Sequence, residues 1–299
     1  MNWKAIALNK LAVRQACLGL VCGLWSAVLY ETGLGVGLGL GGSLTPYLLA
    51  GGGLGLGLGI SLGMLDELPA RLWPRLWRAA LVAAVLGALA GAVTLAGIAV
   101  ASGAHNAAAS LAPEGSWLYW LCLALLLGVV AAATGLGSAL GVGQPRLGVR
   151  RALWGLGAGV LVAVPLAVVL ALVPAFNWVH WGAMALWGAL VAPVMFGAEK
   201  RLARRWLRVL TEPGGDRFFP LLGRRVKLGR LPGNDIVLAR HHEIFPVHCQ
   251  LRWVKDHYEI YDDEAGGMVF VNFRQVQEQP LKPGDLIKIG SALLQYGEA

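Results

Sequence analysis

Most of the side chains able to do polar chemistry are crowded into the last third of this 299-residue chain. The stretch VKLGRLPGNDIVL, residues 226–238, places Arg230 on a turn beside the pair Asn234-Asp235. A guanidinium held by a turn is a two-pronged donor for phosphate or carboxylate, so Arg230 is the first candidate for ligand recognition. His241, His242, His248 and Cys249 are close enough in sequence to suggest a metal, but neighbours on a strand point to opposite faces, and no metal site is expected. The acidic run Asp262-Asp263-Glu264 reads as a solvated hairpin tip, because calcium needs more oxygen ligands at ordered spacing. Cys17, Cys22 and Cys122 sit in apolar runs and Cys249 has no spaced partner, which indicates neither a disulfide framework nor a zinc site. His105 and His180 have no partner in the sequence and read as surface residues. No nucleophile with its base, no carboxylate pair and no HExxH pattern is present, so neither catalysis nor a cofactor is expected.

The rest of the chain is built for lipid. It is 57% hydrophobic and only 14% charged, with 42 glycines and 12 tryptophans, well outside the composition of soluble domains. A helix needs about 20 apolar residues to cross a bilayer. Stretches of that kind fall at residues 11–30, 44–65, 79–101, 117–142, 152–173 and 178–198, predicting about six transmembrane helices in a Gly-rich domain over 1–198. The first run lacks a small-residue cleavage site followed by a soluble domain and reads as a retained span. Residues 33–42 are also apolar and read either as a re-entrant segment or as an early start of the second span, interrupted near Thr45-Pro46.

Basic residues before position 200 occur only as Lys4, Lys10, Arg14, then Arg71, Arg75, Arg78, then Arg146, Arg150, Arg151. The alternate connections, 31–43, 102–116 and 174–177, have none, so the positive-inside rule places both termini in the cytoplasm of an inner or plasma membrane protein. Trp25, Trp73, Trp77, Trp117, Trp120, Trp178 and Trp181 fall near span ends as an interfacial belt. The formal charge of +8 is accounted for by this topology, and nucleic acid is not an expected partner.

GLGISLG at 57–63 with a following basic turn is echoed by GLGSALG at 135–141 with another, which suggests three helical hairpin repeats. Glycines at spacing four, such as Gly51, Gly55, Gly59 and Gly63, let helix backbones approach, either within one chain or across a homo-oligomer. No ionisable group is expected in the membrane interior, which counts against a transporter or proton pump.

Residues 199–215 carry Lys200, Arg201, Arg204, Arg205 and Arg208 and end in Pro-Gly-Gly; they read as a basic helix and linker resting on anionic lipid. Beyond them, at 216–299, runs of period two separated by turns predict a compact all-β sandwich. In order, KLGR, GNDIVL, PVHCQL, YEIYD, VFVN and LKPGDLIKIG resemble a forkhead-associated (FHA) domain over residues 218–297. The resemblance implies a β-sandwich whose end loops bind phosphothreonine in a protein partner. It assigns Arg230 to the phosphopeptide, Asn234 and Asp235 to shaping the adjoining loop, and His248 to bracing the next one. Two positions depart from the family pattern: Phe245 stands where a serine would donate to phosphate, and Gly267 where an asparagine would hold the peptide backbone. The expected protein is a membrane-anchored interaction scaffold with a degenerate phosphothreonine site. The alternative is an oligomeric channel or transporter component regulated by its FHA-like domain.

Overall fold

The computed structural model describes residues 3–41, 43–64, 73–101, 117–172, 177–211, 217–239, 241–262 and 268–298. Two compact units divide the chain, Met1–Ala198 and Glu199–Ala299.

The first unit is helical: α1 (Trp3–Leu40), α2 (Thr45–Met64), α3 (Trp73–Ala101), α4 (Trp117–Gly141), α5 (Pro145–Leu172) and α6 (Asn177–Leu202). Among the described residues, these six helices are long and apolar enough to cross a membrane. Stretches so rich in glycine are poor helix formers in water, but a lipid-solvated backbone must satisfy its polar groups internally and takes the helix regardless. Helix ends are marked locally. After α4, Gly143 adopts φ +78°, its N–H bonds Leu140 O at 2.9 Å, and the N–H of Gln144 bonds Ala139 O at 2.9 Å. That is a Schellman cap, and Pro145 then opens α5.

Neither sequence expectation for residues 33–42 holds. Residues 33–40 continue α1, a helix of 38 residues, and the chain turns only at Gly41, where φ is +75°. Gly33 and Gly37 lie where α1 meets α2: a Cβ built on them would fall 2.3 Å from Leu49 O and 2.5 Å from Pro46 Cα.

Close backbone contact of this kind recurs through the unit. Built Cβ atoms on Gly51, Gly55, Gly59 and Gly63 of α2 would meet backbone atoms of Gly91, Gly87, Ala83 and Ala79 of α3 at 2.2, 1.9, 2.3 and 2.9 Å. From the other side of α3, Gly137 and Gly141 of α4 meet the same Ala83 and Ala79. The repeated GLGISLG and GLGSALG therefore occupy matching positions, and the leading Gly57 and Gly135 turn outward to α1 and α5. Leu58 of α2, Val130 of α4 and Trp187 of α6 belong to one buried core, and Trp187 Nε1 donates to Gly159 O on α5 at 3.0 Å.

Two arginines from the basic flanks are buried within the helical unit. Arg75 and Arg151 are at 7% and 5% exposure, because α3 starts at Trp73 and α5 at Pro145 and each helix carries its arginine. The Arg151 guanidinium donates to Ser138 Oγ at 3.2 Å and covers the Phe196 ring.

The second unit is a two-sheet sandwich. β1 (Arg205–Val209), β2 (Arg217–Pro220), β7 (Val269–Val271), β8 (Arg274–Gln275), β10 (Leu286–Ile289) and β11 (Ala292–Glu298) form one sheet in the order β2-β1-β11-β10-β7-β8. β3 (Arg225–Gly229), β4 (Ile236–Val237), β5 (Cys249–Val254), β6 (His257–Asp262) and β9 (Glu278–Pro280) form the other in the order β4-β3-β5-β6-β9. Alternate residues face inward, as period-two patterning requires, and Leu207, Leu228, Leu251, Ile260, Ile287, Leu294 and Tyr296 are fully buried.

Part of the segment expected as a linker is sheet. β1 pairs with β11 and β2, with Arg205 opposite Glu298 and Val209 opposite Leu294. Its arginines disguise a strand: Leu207 and Val209 alternate into the core, while Trp206, also buried, lies over Gly297 and stacks on Phe218 at 5.4 Å.

Candidate functional site

Loops from three parts of the second unit meet at one end of the sandwich. β3 ends at Gly229, where a Cβ would lie 2.3 Å from Pro246 O and 2.6 Å from Asn234 Nδ2, so only glycine lets the loop before β5 pass. The next residue, Arg230, has its backbone N–H bonded to Phe245 O at 3.0 Å, and Leu231 N bonds Pro246 O at 3.2 Å. The Arg230 side chain is exposed and makes no side-chain hydrogen bond among the described residues.

Asn234 locks the two loops together. It is 3% exposed, its Nδ2 donates to Leu231 O at 3.2 Å and to Pro246 O at 2.6 Å, and its own N–H closes the turn on Leu231 O at 3.1 Å. Asp235 stays exposed and its Oδ2 accepts from the Lys227 N–H at 2.9 Å, fixing the start of β4 against β3. His248 is fully buried; its N–H bonds Leu228 O at 2.8 Å and its Nδ1 accepts from the Phe245 N–H at 3.2 Å. Phe245 is 40% exposed and its ring tilts against His248, with centroids 5.5 Å apart. Arg230, Asn234, Asp235, Phe245 and His248 are thus brought together, while Gly267 lies outside the described residues.

Three exposed apolar residues, Leu231, Phe245 and Met268, lie on the loops at this end of the sandwich. Sequence reasoning passed over Leu231 and Met268. The available signal was an apolar residue inside a Gly-Arg-x-Pro-Gly turn, where a polar one is usual.

His248 gives the cluster a pH dependence. Burial pushes its pKa below the ordinary 6.5, against the opposite pull of the Met268 backbone and the Asp262 carboxylate. The folded state therefore favours neutral imidazole, whose Nδ1 can accept from Phe245. This contribution is complete above pH 6.5 and is lost as pH falls below that value toward the lowered folded pKa. The protection of the Phe245 amide, its exchange rate relative to the unfolded rate at the same pH, should weaken between neutral pH and mild acid; a His248→Asn chain should lose that step.

The tether lies at the far end. β11 starts at Ala292 beside the Gly290–Ser291 turn, where the His242 N–H donates to Ser291 Oγ at 2.9 Å, and runs to Glu298 opposite Arg205. The chain therefore enters the sandwich at Arg205, one strand length away from Arg230.

The protein-family model of the FHA domain matches residues 226–290, spanning β3 through β10. The C-terminal unit carries an FHA domain. FHA domains are phosphothreonine-binding protein-interaction modules. Among solved structures, the FHA domain of the CT664 protein from Chlamydia trachomatis is similar at 23% identity and TM-score 0.30, over 32% of this chain and 98% of that one. The Slr1951 protein from Synechocystis sp. matches at 27% identity and TM-score 0.29, over 32% and 95%. The Rv1747 FHA-1 domain from Mycobacterium tuberculosis matches at 27% and 0.27, over 32% and 100%. No curated protein matches the chain.

Proposed function

We propose that the chain is a membrane-anchored interaction scaffold that holds its FHA domain in the cytoplasm and presents a weakened phosphothreonine site to a protein partner. The observation that carries this reading is Arg230: an exposed guanidinium without a side-chain partner among the described residues, on a loop braced through Asn234 and His248, at the end opposite the entering chain. Six span-capable helices supply the anchor, and the alternation of basic flanks favours cytoplasmic termini.

Phosphate recognition here rests on few groups. Phe245 offers no side-chain donor, and Gly267 offers no side-chain amide. Each missing hydrogen bond to a bound phosphopeptide lowers affinity by about tenfold or more. Leu231, Phe245 and Met268 offer apolar contact at the same end as the arginine, so the partner combines an anionic residue with apolar neighbours.

Restoring the missing donor tests this directly. Phe245→Ser in the full chain should raise affinity for a phosphothreonine peptide about tenfold, measured by fluorescence anisotropy in detergent or nanodiscs. An unchanged or lower affinity would contradict the proposed role of position 245.

A further inference from the structure

The end of the sandwich at which the chain enters carries a feature the partner site does not use. β7 and β8 are joined by the two-residue turn Asn272-Phe273, with φ +49° and +66°. In a hairpin turn with both residues left-handed, asparagine followed by glycine is the favoured pair. Asn272 fits: its N–H bonds Leu286 O, its Oδ1 accepts from the Leu286 N–H, and its Nδ2 donates to Asp285 Oδ1 at 2.8 Å. Phe273 does not. A bulky residue in this region is strained, and with 75% of its surface exposed it gains almost no packing within the sandwich to offset that strain.

The rest of this end has one character. Leu222, which follows β2 at the opposite edge of the sheet, is exposed too, and the N–H of Leu221 before it bonds Arg205 O. Arg204, Arg224, Lys255, Arg274 and Lys282 are exposed at the same end. The carboxylates there are engaged: Asp285 accepts from Asn272 Nδ2 and the Lys282 N–H, Glu298 pairs with Arg205, and Asp256 bonds His257. β1 begins at Arg205, with α6 ending at Leu202.

We infer that this end of the FHA domain docks on the anionic lipid surface, with Phe273 as a rigid aromatic wedge among basic residues. The inference rests on the membrane anchoring proposed above. A rigid left-handed turn holds the ring out from the sheet, and the cations at this end match anionic headgroups. Docking there leaves Arg230 facing the cytosol.

The test is photocrosslinking in the full chain, reconstituted in vesicles of phosphatidylcholine alone or mixed with phosphatidylglycerol. A benzophenone amino acid replaces Phe273 or, as control, Leu231 at the partner-binding end. The expected result is about tenfold more lipid adduct from position 273 than from 231, rising further with phosphatidylglycerol. A chain that floats with the vesicles but gives equal adduct from both positions overturns the docking and leaves the anchoring standing. A chain that fails to float with vesicles, or is stripped from them by alkaline carbonate, overturns both.

Discussion

Gly55→Ala should dislodge α2 from α3 and destabilise the helical unit by about 3 kcal/mol or more, because the one added carbon has no place to go. Its position is 1.9 Å from Gly87 O and 2.3 Å from Gly87 C, and both are backbone atoms that no rotamer change can move. Separating the helices also loosens Gly51, Gly59 and Gly63, which meet α3 along the same stripe. Lipid offers no hydrophobic drive to hold the pair together at a greater distance, so the lost close contact is not replaced. Gly35→Ala on α1 is the matched control: nothing lies within 4 Å of its built Cβ, and alanine is the better helix former, so stability should hold or rise slightly. Thermal unfolding in detergent compares the two. Equal tolerance of both substitutions would contradict the α2–α3 packing.

Asn234→Ala should have the largest effect within the FHA domain outside its hydrophobic core. The side chain is buried and its amide bridges Leu231 O and Pro246 O, so truncation removes two hydrogen bonds and the tie between the loops that carry Arg230 and Phe245. Two such bonds at about 1 kcal/mol each predict about 2 kcal/mol of lost local stability. The consequence is readable at the amides of Arg230 and Leu231, which donate across the same gap to Phe245 O and Pro246 O. Their hydrogen exchange should quicken by about thirtyfold. Asp235→Ala, which loses one exposed bond to Lys227 N, should change exchange at those amides far less. Equal effects of the two substitutions would show that Asn234 does not hold the loops.

The membrane and sandwich parts were legible in the sequence for a shared reason: in each, a side-chain period matches the element that buries it. Runs of about 20 apolar residues mark the helices, and alternation in VKLG, CQLRWV and DLIKIG marks strands. The features missed are those in which composition and geometry disagree. β1 lies in a stretch with four arginines between positions 201 and 208, whose charge suggests a headgroup-facing helix although Leu207 and Val209 alternate into the core. Residues 33–40 carry glycine at every second position and look like a break, but Gly33 and Gly37 of that series provide the contact with α2. Arg151 was read as a flank because its cluster sits between apolar runs; the helix starts earlier, at Pro145, and carries the side chain inward to Ser138.

At the candidate site, residue types conveyed the polar frame well. Arg230, Asn234, Asp235 and His248 converge at one end of the sandwich. What could not be read is exposure. Nothing in the string distinguishes a Phe245 folded inward from one at the rim, because that choice depends on how His248 fills the space beneath it. Phe273 was likewise hidden, since a left-handed turn is recognised from glycine and this one lacks it.

The central claim is that this FHA domain retains its phosphate-facing arginine but has lost neighbouring donors. The most direct measurement is binding of the nanodisc-reconstituted full chain to a phosphothreonine peptide library and to its unphosphorylated twin, with Arg230→Ala alongside. Two missing contacts, each about tenfold, turn a micromolar reader into one with a Kd on the order of 100 μM. Phosphate-dependent binding at that level, abolished by Arg230→Ala, is the expected result. Binding that is equal with and without phosphate and indifferent to Arg230→Ala, or sub-micromolar phosphopeptide binding, would contradict it.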